Sequence, residues 1–148
     1  MSNINLISGN ILHSDKQTIT NAVNTVGVMG NGLAAQFKKK YPTYFNQYKI
    51  ECFDKVLQVG QLTVYKVDDN KQILNFPTKE HWKNTSKLTY IESGLQYLCE
   101  NYNNMNITSL ALPPLGCGLG GLQWNDVYSM MLDYLKPLEI DIDIYQPY

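Results

Sequence analysis

At 148 residues the chain has the length of one domain with a single substantial core, and its 44% hydrophobic and 17% charged shares exclude a disordered or fibrous protein. A formal net charge of −1 gives no general pull toward nucleic acid, so any such binding has to come from a local patch. Three cysteines in no metal-ligand spacing, with no secretory leader, point to a reducing cytoplasm, and no apolar run approaches the ~20 residues of a membrane span.

In chain order, residues 4–8 read as a first strand, broken by Gly9-Asn10-Ile11, where Asn10 is a plain turn former on its own chemistry. Residues 18–24 form a second strand, β-branched and mostly apolar as if buried on both faces. A glycine loop follows (Gly27, Gly30, Gly32), then a helix with Leu33, Ala34 and Phe37 on one face and Lys38, Lys39 and Lys40 at its end. Pro42 starts another helix, with Tyr44, Tyr48, Cys52 and Val56 at four-residue spacing. Residues 62–67 and 72–76 flank Asp68-Asp69-Asn70 as a β-hairpin.

The stretch 75–84 leaves a strand with little periodicity and gathers Lys79, His81, Trp82 and Lys83, the kind of polar, aromatic loop on which a site sits. Leu88, Ile91, Leu95 and Leu98 mark an amphipathic helix with Ser86 as its cap. Residues 107–112 form a strand feeding a second glycine loop. Val127, Met131 and Tyr134 line the helix after it, and Pro137 ends that helix. Residues 141–146 alternate apolar and acidic, as an edge or terminal strand does. The alternation of strands and helices, with one hairpin inserted, predicts an α/β sandwich with a mixed sheet. No repeat or linker divides it, so residues 1–148 read as one domain, and nothing demands more than a monomer.

Both glycine loops fall between a strand and a helix, beyond the carboxyl ends of strands where such folds bind ligands. Glycines admit a ligand close to main-chain N–H groups, and a helix N-terminus adds unpaired donors and partial positive charge. Two such cradles suit a diphosphate gripped from both sides. Neither is a Walker motif or a dinucleotide fingerprint. Cys117 in the second loop is read as packing rather than as a nucleophile, since no histidine is tied to it. Lys79 reads two ways: a solvated loop lysine, or an amine screened by Trp82 and nucleophilic toward a carbonyl carbon. The histidines and acids show no metal spacing, and no cofactor is called for.

These segments are similar to those of macrodomains, the modules that bind ADP-ribose. The resemblance is carried by Gly9-Asn10-Ile11, Asn21-Ala22-Val23-Asn24, Gly30-Asn31-Gly32-Leu33-Ala34 and residues 112–121, and it covers essentially the whole chain. Residues 21–30, Phe76-Pro77-Thr78-Lys79 with His81-Trp82, and residues 114–119 most resemble the branch holding the DarG-type DNA ADP-ribosylglycohydrolase antitoxins and the terminal ADP-ribose glycohydrolases.

The resemblance implies a three-layer α/β/α sandwich around a central mixed sheet, and a hydrolase that removes ADP-ribose from a target, a DNA base. Its alternatives are a non-catalytic ADP-ribose reader and a phosphatase acting on ADP-ribose 1″-phosphate. It places Gly9, Asn10 and Ile11 against ADP-ribose, with Asn10 where an aspartate usually meets the adenine amino group. Asn21 and Asn24 face the distal ribose. Gly30, Asn31, Gly32 and Leu33 form the first diphosphate loop, and Pro114, Leu115, Gly116, Cys117, Gly118, Leu119 and Gly120 the second.

Lys79 matches the catalytic lysine at the anomeric carbon, with Asn24 and Asn21 beside it. His81, Trp82 and Lys83 are the expected nucleic-acid contacts. Gly120 departs from the terminal glycohydrolases, which carry an aspartate there, and matches the antitoxin type. The implied partners are ADP-ribose or ADP-ribosylated DNA and a DarT-like ADP-ribosyltransferase toxin, with no membrane involvement.

Overall fold

A computed structural model describes residues 2–147. Six strands, β1 (Asn3–Ile7), β2 (Thr18–Val23), β3 (Thr63–Asp68), β4 (Lys71–Pro77), β5 (Ser109–Leu112) and β6 (Asp141–Tyr145), form one sheet in the order β1-β6-β5-β2-β4-β3. All neighbours are parallel except β3 and β4, the hairpin read from the sequence. Four helices flank it: α1 (Gly32–Lys40), α2 (Pro42–Phe53), α3 (Leu88–Asn101) and α4 (Trp124–Leu135). Helices α1 and α2 cover one face, burying Phe37, Tyr44 and Tyr48 against Ile19, Val23 and Ile73. Helices α3 and α4 cover the other, burying Ile91, Leu95, Val127 and Met131 against Leu74, Phe76, Leu110 and Ile142. The expected α/β/α sandwich with a mixed sheet is what forms.

Burial on both faces explains why β2, β4 and β5 read as apolar runs rather than alternating ones. Helix α2 follows from Pro42 at its first turn and from Tyr44, Tyr48 and Cys52, all buried on one stripe. Val56, the fourth member of that spacing, lies past the helix end and is exposed. On α4 the buried stripe runs Val127, Met131, Leu135, with Tyr134 half-buried beside it.

Two local expectations are corrected. Residues 141–145 are last in sequence but interior in the sheet, because β1 pairs outside β6 and takes the edge. Ser86 is not the cap of α3: Lys87 holds that position without a side-chain bond, and the buried Ser86 turns toward the second glycine loop.

Candidate active site

The carboxyl ends of β2, β4 and β5 open into a cleft of about 470 Å³, within the usual range for small-molecule sites. The register that creates it is tight, since Thr78 N–H donates to Val23 O at 2.8 Å just beyond the paired strand ends. After β2 the chain runs through residues 24–31 into α1. Asn31 is the N-cap of α1, and its side chain makes no cap bond. The first N–H groups of the helix, at Gly32, Leu33 and Ala34, all residues lining the cleft, therefore keep their donors for a ligand. Gly32 has φ +59°, a conformation that favours glycine at the turn into the helix.

The opposite wall is the second glycine loop. It folds on itself through Cys117 N–H to Pro114 O (3.1 Å), Gly121 N–H to Gly118 O (3.2 Å) and Leu122 N–H to Gly116 O (2.9 Å). The N–H groups of Gly118, Leu119 and Gly120 donate to no carbonyl among the described residues, and all three residues line the cleft. Ser86 braces this loop from behind: its N–H donates to Gly120 O at 3.0 Å. A Cβ at Gly120 would meet Gly116 O at 2.5 Å, and the Ser86 hydroxyl closer still, so no side chain fits there.

Lys79 reaches between the walls. Its Nζ donates to Leu119 O at 3.3 Å and to Trp82 O at 3.4 Å, and Lys79 is the one ionisable side chain lining the cleft among the described residues. No carboxylate shares the space, so the cleft combines oriented N–H dipoles with one cation, a suitable field for an anion. The segment bearing Lys79 is anchored, since Thr25 donates through N–H (3.3 Å) and Oγ1 (3.0 Å) to Glu80 O. Trp82, 46% exposed, lines the mouth, stacked on His81 with the Lys83 ammonium 5.1 Å from its ring centroid.

Of the residues predicted from sequence, Asn24, Gly30, Asn31, Gly32, Leu33, Lys79, Trp82, Pro114, Gly116, Gly118, Leu119 and Gly120 come together around this cleft. Asn21 does not: it is fully buried behind the wall, its Nδ2 donating to the Tyr44 hydroxyl at 3.0 Å. Gly9, Asn10 and Ile11 also lie outside the lining. Asn10 caps the 3-10 turn Ile11–His13 by accepting from Leu12 N–H at 3.0 Å, which is its turn-forming reading. Leu115 is buried in the core under the loop.

Cys117 is half-buried and lies outside the lining, and burial pushes its thiol up to about 11, which disfavours the reactive thiolate. His81 and Lys83 flank Trp82 rather than line the cleft. The site residues read from the sequence did not include Ala22, Val23, Val28, Ala34, Thr78 and Pro113, which the strand ends and the loops bring to the lining. Among the described residues no group of three or more His, Cys, Asp or Glu is placed to hold a metal ion, and no helix is long and apolar enough to cross a membrane.

The family described as Macro domain matches residues 20–131. A Thermosipho africanus protein named DNA ADP-ribosyl transferase-DNA ADP-ribosyl glycohydrolase fusion protein is 42% identical over 98% of this chain and 42% of its own length. The chain spans about two fifths of the length of the first curated relatives it matches. Among solved structures, the macrodomain of Mycobacterium tuberculosis DarG superposes with a TM-score of 0.94 at 41% identity, each chain fully covered. Thermosipho africanus DarTG in complex with ADP-ribose gives 0.94 at 44% identity, over 99% of this chain and 42% of that one.

Proposed function

The chain belongs to the Macro domain family, and on that premise we propose that it hydrolyses the bond between ADP-ribose and a DNA base. The observation that carries the reading is Lys79: one amine, in a cleft without carboxylates, held between two walls of unpaired main-chain donors. The name of the Thermosipho africanus fusion protein, which includes a DNA ADP-ribosyl glycohydrolase, supports the same reaction. Its other half, a transferase, supports a DarT-like enzyme as the source of the modified DNA.

In this reading the N–H groups of Gly32 to Ala34 and Gly118 to Gly120 hold the diphosphate from its two sides, as helix N-termini and nests of N–H groups do. The distal ribose then lies toward Asn24 and Lys79, with the Lys79 amine acting at its anomeric carbon. The bond from that carbon to the base breaks, the oxygen of water replaces it, and a water proton leaves with the base. Fixing the sugar against the amine can account for up to ~7–11 kcal/mol of barrier in favourable cases. Trp82 and Lys83 take the neighbouring strand, a base on the indole and a phosphate on the ammonium; stacking of this kind is worth ~1–3 kcal/mol per base.

Incubation with ADP-ribosylated single-stranded DNA tests it. Wild type releases free ADP-ribose, and Lys79→Ala does not while still binding ADP-ribose. No release by wild type assigns the chain to the non-catalytic readers, and phosphate release from ADP-ribose 1″-phosphate that survives Lys79→Ala assigns it to the phosphatases.

A further inference from the structure

Asn24 and Tyr48 form a unit that neither the glycine loops nor Lys79 accounts for. Tyr48 is fully buried on α2, and its hydroxyl lies 2.8 Å from Asn24 Oδ1, 2.9 Å from Asn24 O and 3.4 Å from Val28 O. Asn24 Oδ1 also accepts from Val26 N–H at 3.1 Å and Val28 N–H at 3.4 Å, while Nδ2 donates to Val28 O at 2.8 Å. The side-chain oxygen is thus surrounded by three donors, and one of the two Nδ2 hydrogens is committed to the turn. Its second hydrogen is the polar group left over in a residue that lines the cleft. Burial raises the Tyr48 phenol well above its ordinary range, so it remains a donor across working pH.

We infer that Tyr48 is a positioning residue that locks the Asn24 amide, so that Asn24 meets the distal ribose as a hydrogen-bond donor, through Nδ2, and not as an acceptor. The inference rests on the hydrolase reading for its kinetic consequence and on geometry alone for the lock. The donor recognises an oxygen, either a ribose hydroxyl or the ring oxygen. Because a misplacement of ~1 Å far from the chemistry can cost ~10²-fold, loosening the amide falls on turnover more than on diphosphate affinity.

Tyr44 supplies the control. It is one helical turn away, equally buried, and bonded to Asn21 and Asn75 rather than to Asn24. Tyr48→Phe is expected to lower kcat for ADP-ribose release by about 5- to 50-fold on the same positioning argument, with the Kd of free ADP-ribose changed by less than about threefold. Tyr44→Phe lowers the melting temperature at least as much but leaves kcat near wild type. Equal kinetic loss in both variants, or none in Tyr48→Phe, overturns the inference.

Asn24→Asp keeps an oxygen for the three donors but has no hydrogen to give, so it loses as much turnover as Asn24→Ala; retained turnover overturns the donor assignment. Should wild type release nothing from DNA, the hydrolase reading fails and NMR decides the lock. The Asn24 Nδ2 resonances shift in Tyr48→Phe and not in Tyr44→Phe if the lock exists, and unchanged resonances in Tyr48→Phe refute it.

Discussion

Gly120→Ala isolates the steric argument for the second loop. The added Cβ would stand 2.5 Å from Gly116 O and 2.9 Å from Gly116 C, both main-chain atoms, with the Ser86 hydroxyl nearer still. Ordinary packing needs roughly 3.5 Å or more between such atoms, so the loop has to move by about 1 Å on one side. Overpacking of this kind costs ~1–3 kcal/mol, and the atoms that move carry the N–H groups assigned to the diphosphate. The expected result is a lower melting temperature together with ADP-ribose binding weakened ~10- to 100-fold by calorimetry, each factor of ten being ~1.4 kcal/mol.

Gly118→Ala is the comparison, since nothing lies within 4 Å of the Cβ there and its stability stays within ~0.5 kcal/mol of wild type. Adding Ser86→Ala to Gly120→Ala removes the hydroxyl but leaves the Gly116 carbonyl in place, so recovery is partial at most. Gly120→Ala with unchanged melting and an affinity within twofold of wild type would refute the reasoning.

Gly94→Ala sets a methyl 2.6 Å from Cε1 and 3.0 Å from Cε2 of the buried Phe76 ring, so chemical denaturation should show a loss of ~1–3 kcal/mol. Cys117→Ala should retain ADP-ribose release within about twofold, and peptide mapping after iodoacetamide at pH 8 should find Cys117 modified more slowly than a free thiol, because thiolate is the reactive form. The folded pKa of Cys117 lies above its ordinary value of 9.0, at about 11, so its contribution to stability is whole below pH 9 and is lost as pH rises toward about 11. Trp82→Ala should weaken capture of ADP-ribosylated single-stranded DNA by ~1–3 kcal/mol while free ADP-ribose binds nearly as before; equal loss of both would remove the stacking role.

The sheet, the hairpin and both glycine loops were legible because each rests on local pattern: apolar runs, turn chemistry, glycine spacing; the gathering of Asn24 and Lys79 was implied by the family resemblance. Asn21 lies behind the cleft wall on Tyr44, apart from the lining that includes Asn24. Ile19, Asn21 and Val23 alternate onto the α2 face of β2, whereas Asn24 lies past the paired residues, in the turn that brings it to the cleft. The partners that decide their roles, Tyr44 and Tyr48, appeared in sequence only as a helix stripe. Ser86 failed for a different reason. A serine two residues before an apolar helical run is a cap by local rules, but contact with Gly116 and Gly120, thirty and more positions away, sets its actual position.

The place of β6 inside the sheet has a consequence for how the protein is made. Asn3 stands opposite Asp141 and Ile7 opposite Tyr145, so β1 can pair only after the chain through β6 has been synthesised. Until then Ile4 and Ile7 travel with an unsatisfied ladder, and a nascent chain of this protein offers a sticky edge to any other strand nearby. Closure of that last parallel pair, the contact most distant in sequence, is where assembly should be slowest.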